Sequence, residues 1–359
     1  MINLKQIFTA AVLIFCANIT PAIAAKTVDL TSENIRYLGT NYVYHQDKQV
    51  SFTRHSKATL AVPKMKLAFN PVKAQTTSGI VINLATKSQE INFEFIPLPK
   101  ENRGSEFALY ENDRLVKTFK FKRKDKKFAL TYDSGSKQYK EYRLTLPSWS
   151  NVALKAITLD DDSELLAIKS ARKAKYVAMG DSITHGVGQG SATQLTYPYI
   201  VSQALDLELF NIAVGGGKTS IPTAEMLKDF DDIKLLTLLI GYNDWNSPKA
   251  DVAVYQSNLE RMLTSIRKYH PETTIYCITP LFTKSTKAKH VNQPMQAYRQ
   301  AVIDVVKARQ LSGDININVI EGDKITSVKN LREDNPKDPV HLGINGARLF
   351  AEQLIKLIK

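Results

Sequence analysis

Tyr176-Val177-Ala178-Met179-Gly180-Asp181-Ser182-Ile183-Thr184 is the stretch on which the fold turns. Four apolar residues make a short buried strand, and a glycine-containing turn follows without a spacer. The same alternation continues downstream. Leu207–Val214, Ile233–Ile240, Ile275–Leu281 and Ile315–Ile320 are apolar, strand-like runs. Between them Tyr255, Leu259, Met262 and Ile266 recur at helical spacing, as do Met295, Tyr298, Val302 and Val305. Thr196-Tyr197-Pro198 reads as a helix start, with Thr as cap and Pro in the first turn. Phe350, Leu354 and Leu357 line one face of a C-terminal helix. Strands alternating with helices predict an α/β domain built on a doubly wound parallel sheet, with ligands beyond the carboxyl ends of its strands.

Upstream the period changes from helical to two. Ile91, Phe93 and Phe95 alternate with polar neighbours, as do Phe119 and Phe121, and then Tyr142, Leu144 and Leu146. Turn signals separate these runs, at Glu111-Asn112-Asp113-Arg114 and at Asp133-Ser134-Gly135-Ser136. Many short strands without a long amphipathic helix predict a β-sandwich or jelly roll. The switch falls at Lys169-Ser170-Ala171-Arg172-Lys173, so the expected domains are 26–168 and 169–359.

Residues 1–25 read as an export signal. Lys5 is followed by a mostly apolar run from Ile7 to Ala17, and Ala22-Ile23-Ala24 offers a small-x-small cleavage site. The run is shorter than the about 20 residues that span a bilayer, so no stable membrane insertion is expected. A secreted or periplasmic protein follows from this reading. Without the leader only Cys277 remains, and its apolar surroundings predict an inert buried thiol. The net charge of +13 drops by one, to +12, with Lys5. Such a surface attracts polyanions, although no nucleic-acid motif is present. The densest cluster, Lys120 to Lys127, lies between two strand-like runs and is expected to be a solvated hairpin tip.

Four segments carry chemistry. Ser182 opens a tight strand-to-helix turn, which exposes its hydroxyl and leaves its own N–H free to face a developing oxyanion. Asn211-Ile212-Ala213-Val214-Gly215-Gly216-Gly217 follows the second strand, where glycines let a backbone N–H approach a substrate closely. Gly241-Tyr242-Asn243-Asp244 follows the third, and the Asn243 amide can donate to the same oxygen. In Asp338-Pro339-Val340-His341 the carboxylate can reach the imidazole Nδ1–H, leaving Nε2 to take the serine proton. Each residue alone has a plainer reading as a cap, a turn former or a packing spacer. Trp245 and Tyr197 lie beside these motifs, either as sugar-stacking aromatics or as core. His185 either lines the pocket or faces outward from a loop. No histidine, carboxylate or cysteine spacing suggests a metal, and no cofactor is expected.

Serine in Gly-Asp-Ser, a glycine after the second strand, Asn in Gly-x-Asn-Asp and a terminal Asp-x-x-His resemble the four blocks of the SGNH (GDSL-like) hydrolase family. The resemblance covers roughly residues 175–359. It implies a flavodoxin-like sheet, with Ser182 as nucleophile, His341 as general base then acid, and Asp338 as the orienting carboxylate. It also implies an oxyanion hole made by the Ser182 N–H, the Gly216 N–H and the Asn243 side chain, with Gly215 the competing donor. A β-sandwich ahead of such a domain resembles the layout of family 2 carbohydrate esterases. That layout implies an esterase acting on an acetylated polysaccharide; export, the basic surface and the aromatic beside Asn243 fit an extended, acidic one. A lipase, lysophospholipase or thioesterase, a polysaccharide O-acetyltransferase and a non-catalytic glycan-binding protein are the alternatives.

Overall fold

The computed structural model describes residues 25–248, 251–290 and 292–358; the export-signal reading of the first 24 residues lies outside them. The antiparallel half consists of two six-stranded sheets. One runs in the order Tyr42–Gln46, Gln49–Thr53, Ser150–Asp160, Glu90–Asn102, Phe128–Asp133, with Ala25–Thr27 also pairing on Ser150–Asp160. The other runs Leu165–Leu166, Val81–Thr86, Lys140–Thr145, Gly104–Glu111, Arg114–Lys122, with Ile35–Leu38 on Val81–Thr86. Ile91, Phe93 and Phe95 of the first sheet meet Phe107, Leu109, Tyr142 and Leu144 of the second in one core. That is the sandwich the period-two pattern predicts.

Asn112 and Asp113 both have positive φ, 48° and 67°, and form a two-residue turn between paired strands. Positive φ at both central positions matches the twist of a tight hairpin. The lysine-rich segment behaves differently. Arg114–Lys122 and Phe128–Asp133 belong to different sheets, so this segment is a corner crossing between sheets rather than a hairpin tip. Alternation identifies the strands on either side but not which sheet each one joins. Three short helices, Lys57–Ala61, Lys64–Leu67 and Pro71–Ala74, also interrupt the strands. With four or five residues each, they are too short to show a helical period.

The other half is a five-stranded parallel sheet. Its spatial order is Glu208–Asn211, Lys175–Gly180, Ile233–Leu239, Thr274–Ile278, Ile317–Ile320, or 2-1-3-4-5 in chain order. This is the flavodoxin-like arrangement. Alternate residues face opposite layers. Val177, Leu236, Leu238, Ile275 and Cys277 pack against helices Val252–Tyr269 and Met295–Leu311. Tyr176, Ala178, Leu235, Leu239 and Ile278 pack against Tyr197–Ala204 and Ile344–Leu357. Among the described residues no helix is long and apolar enough to cross a membrane.

Candidate active site

Lys175–Gly180 stops where a four-residue helix, Ser182–His185, begins. Asp181 caps that helix, its Oδ1 accepting the Ile183 N–H at 2.9 Å. Ser182 is thereby held at the rim of the sheet, partly exposed. Its own N–H has no partner among the described residues, as the first helical position requires.

His341 comes from the loop before the last helix. Its Nε2 lies 2.8 Å from Ser182 Oγ, and its Nδ1 lies 2.8 Å from Asp338 Oδ2. Asp338 Oδ1 also accepts the backbone N–H groups of Val340 and His341, each at 3.1 Å. Partial burial pushes the Asp338 carboxyl up, but these backbone donors and the charge of His341 outweigh it, and its pKa lies below the ordinary value. The loop is tied down on several sides. Arg332 N–H donates to His341 O at 3.0 Å, Gln189 Nε2 to Leu342 O at 2.7 Å, and Lys284 N–H to Pro339 O at 2.9 Å. With Nδ1–H committed to Asp338, the Nε2 lone pair faces the serine hydroxyl.

The three glycines after the second strand are not equivalent. The Gly215 N–H donates to His185 Nδ1 at 3.1 Å, and the Gly217 N–H to Val214 O at 2.8 Å. Only the Gly216 N–H is left without a partner among the described residues, on a backbone with φ of +80° that favours glycine. Of the two candidate donors, Gly215 is therefore already engaged. Asn243 stands beside this loop, its Nδ2 donating to Gly217 O at 3.0 Å and to Asp181 Oδ2 at 3.3 Å. Donation to a reacting oxygen requires release of the longer bond. Burial raises Asp181 to about 7, with the Asp244 charge adding to the effect, and burial raises Asp244 to about 6.

The aromatics beside the motifs are core. Trp245 has no exposed surface, and its indole N–H donates to Gln293 O at 2.7 Å. Tyr197 is equally buried, its hydroxyl 2.8 Å from Thr184 Oγ1. Neither presents a face to a substrate, because each sits on the inward side of its helix. His185 neither lines a pocket nor points outward: it is wholly buried between the two domains. Sequence reasoning also missed Arg54, Trp149 and Lys73, which the antiparallel half brings to the glycine loop. Arg54 Nη1 donates to Asn211 O at 2.7 Å and to Ala213 O at 2.5 Å. The Lys73 ammonium lies beside Gly216, 3.9 Å from where a Cβ would stand. No local pattern marks residues whose partners lie in the other domain.

The arrangement can deprotonate a hydroxyl by an oriented imidazole and present N–H groups to charge developing nearby. Several solved structures share the fold. A salicylyl-acyltransferase, SsfX3, from a tetracycline biosynthetic pathway superposes with a TM-score of 0.81 at 21% identity, over 92% of this chain and 95% of that one. A family two carbohydrate esterase from Clostridium thermocellum in complex with cellohexaose gives 0.60 at 18%, over 79% and 93%. An acetyl xylan esterase (Est2A) from the rumen bacterium Butyrivibrio proteoclasticus gives 0.64 at 13%, over 93% of this chain and 97% of that one. At these identities the likeness is one of fold. No curated protein sequence matches the chain. The profile of the GDSL-like Lipase/Acylhydrolase family matches residues 178–349, from the strand before Ser182 to the helix after His341.

Proposed function

We propose that the chain is an exported serine esterase that removes O-acetyl groups from a polysaccharide, most readily an acidic one. One observation carries the reading: Ser182 Oγ, the His341 ring and the Asp338 carboxylate stand in line with successive separations of 2.8 Å. Ser182 Oγ attacks the ester carbonyl carbon while its proton passes to His341 Nε2. The carbonyl oxygen becomes an oxyanion facing the Ser182 and Gly216 N–H groups and the Asn243 amide. As the C–O bond to the sugar breaks, Nε2 returns the proton to the leaving alkoxide. Water then gives its proton to Nε2, attacks the acyl-serine and releases acetate, restoring the hydroxyl. Asp338 holds the ring in the required tautomer and steadies its charge throughout.

The acidic-glycan reading is supported by a groove of about 520 Å³ beside the site. Lys218 and Thr219, which follow Gly217, and Asp244, which follows Asn243, line it together with Met65, Lys66 and Arg261. None of its three cations forms an ion pair among the described residues, so they are available to a carboxylate-bearing sugar. The carbohydrate esterases that share the two-domain fold support a glycan substrate without bearing on its charge, and the leader-like N-terminus favours export. Acetate release from neutral and uronate-containing acetylated glycans tests the reading, beside p-nitrophenyl esters of graded chain length. Preference for acetyl and for the acidic polymer is expected. Preference for long acyl chains, or acetyl transfer to an added sugar with no free acetate, would overturn it.

A further inference from the structure

We infer that the antiparallel domain sets the second oxyanion donor, with Arg54 and His185 as positioning residues that hold the loop after the second strand so that the Gly216 N–H is the one left free. The inference rests on the Ser182 reading above and goes beyond it, because it makes a catalytic feature of one domain depend on side chains packed in the other.

The contacts form a continuous chain. Arg54 lies in the antiparallel half, is 1% exposed and forms no ion pair with a carboxylate among the described residues. Its Nε donates to Thr76 O at 2.8 Å and its Nη2 to Lys73 O at 3.0 Å. Its Nη1 spans both Asn211 O and Ala213 O, at the start of the glycine loop. Burying a guanidinium against neutral partners, four carbonyls and the Thr76 hydroxyl, is costly, and burial pulls its pKa down to about 9. Such a group persists where its geometry is needed.

His185 holds the other end of the loop. Its Nε2 lies 2.9 Å from Ser148 O and 2.8 Å from Thr76 Oγ1, so Nε2–H is the donor toward the antiparallel domain. Nδ1 is then the acceptor, and it takes the Gly215 N–H at 3.1 Å. Burial and the adjacent Arg54 charge keep the imidazole neutral, which that acceptor role requires. Trp149 stacks on His185 with ring centroids 3.8 Å apart, and Arg103 covers the other face of the indole at 3.8 Å. A Cβ on Gly215 would stand 2.3 Å from Trp149 Cη2, so glycine is required there by close approach. The far side of the loop is tied to the serine turn, Val214 N–H donating to Gly180 O at 3.2 Å. With Gly215 and Gly217 both engaged, the peptide between Gly215 and Gly216 has one setting.

The test is steady-state hydrolysis of p-nitrophenyl acetate by the full chain, with thermal unfolding measured in parallel. His185→Phe keeps the stack on Trp149 and loses the acceptor. It should lower kcat about 10- to 100-fold with KM within about threefold, part of the about 10²–10³ that loss of an oxyanion donor costs. Gly215→Ala should lower kcat likewise by forcing the loop off Trp149, and Trp149→Phe in the same chain should restore it by removing the ring edge. This pair decides the matter where His185→Phe does not fold. Wild-type kcat in both single variants, or no restoration in the double variant, overturns the inference while an inactive Ser182→Ala leaves the hydrolase reading intact. An active Ser182→Ala overturns that reading itself.

Discussion

The Asp338 carboxylate meets His341 twice: Oδ1 accepts its backbone N–H at 3.1 Å, and Oδ2 lies 2.8 Å from its ring Nδ1. One side chain thus sets both the course of the chain and the orientation of the ring three residues on. Asp338→Asn keeps an acceptor for the backbone bond but permits the wrong tautomer. It should lower kcat by up to about 10⁴-fold, by analogy with other serine–histidine–aspartate sites, with KM little changed. Full activity with p-nitrophenyl acetate would remove Asp338 from the relay.

Asn243 serves as a strut between the serine turn and the glycine loop, through Asp181 Oδ2 and Gly217 O. Asn243→Ala should lower kcat about 10²–10³-fold, the usual cost of one oxyanion donor, and leave KM within a few-fold. A variant that loses thermal stability but keeps kcat would show that the amide serves only as a strut.

Arg54 gives a prediction about stability. Arg54→Met leaves the Asn211 and Ala213 carbonyls without their guanidinium donor. Each buried polar group left unsatisfied costs about 1–3 kcal/mol, so for these two a loss of at least about 2 kcal/mol is expected in urea unfolding. A loss under about 1 kcal/mol would show that the two domains hold the loop without it.

Much of this was legible in the chain, and what was not has a common cause. The five parallel strands follow from apolar runs, because a sheet covered on both faces needs apolar residues on both. Leu207–Val214 is one apolar run, yet the strand covers only Glu208–Asn211; beyond it the Ile212 and Val214 N–H groups still reach Ala178 O and Gly180 O, while the Asn211 and Ala213 carbonyls turn to the Arg54 guanidinium. Ser182, Asn243, Asp338 and His341 were legible because each sits in a short local motif. His185, Arg54 and Trp149 were not, because their roles depend on a domain interface that no periodicity encodes. Trp245 lies next to a motif residue in sequence but points into the core.

Asp181 gives a prediction about pH. Its folded pKa is raised by burial from 3.8 to about 7. Between roughly pH 4 and 7 the folded state therefore keeps a proton that the unfolded state has released. This contribution to stability falls as pH rises through that window, and Asp181→Asn, neutral throughout, lacks the change. The urea midpoint of the wild type relative to Asp181→Asn should be lower at pH 8 than at pH 5. A difference independent of pH, or of the opposite sign, would contradict the assignment.

Lys66 and Lys218 line the groove beside the site and form no ion pair among the described residues. Lys66→Glu and Lys218→Glu should each raise KM for a uronate-containing acetylated glycan about 1.5- to 5-fold, as expected for a solvent-accessible charge pair. Neither should change the kinetics with p-nitrophenyl acetate. Equal effects on both substrates would argue against recognition of a sugar carboxylate.

The central claim is that ester cleavage runs through one hydroxyl, and the rate of p-nitrophenyl acetate hydrolysis by Ser182→Ala tests it most directly. The expected result is a folded protein whose kcat falls toward background, by as much as about 10⁶-fold as in other serine hydrolases that lose their nucleophile. A rate within tenfold of wild type would contradict the account.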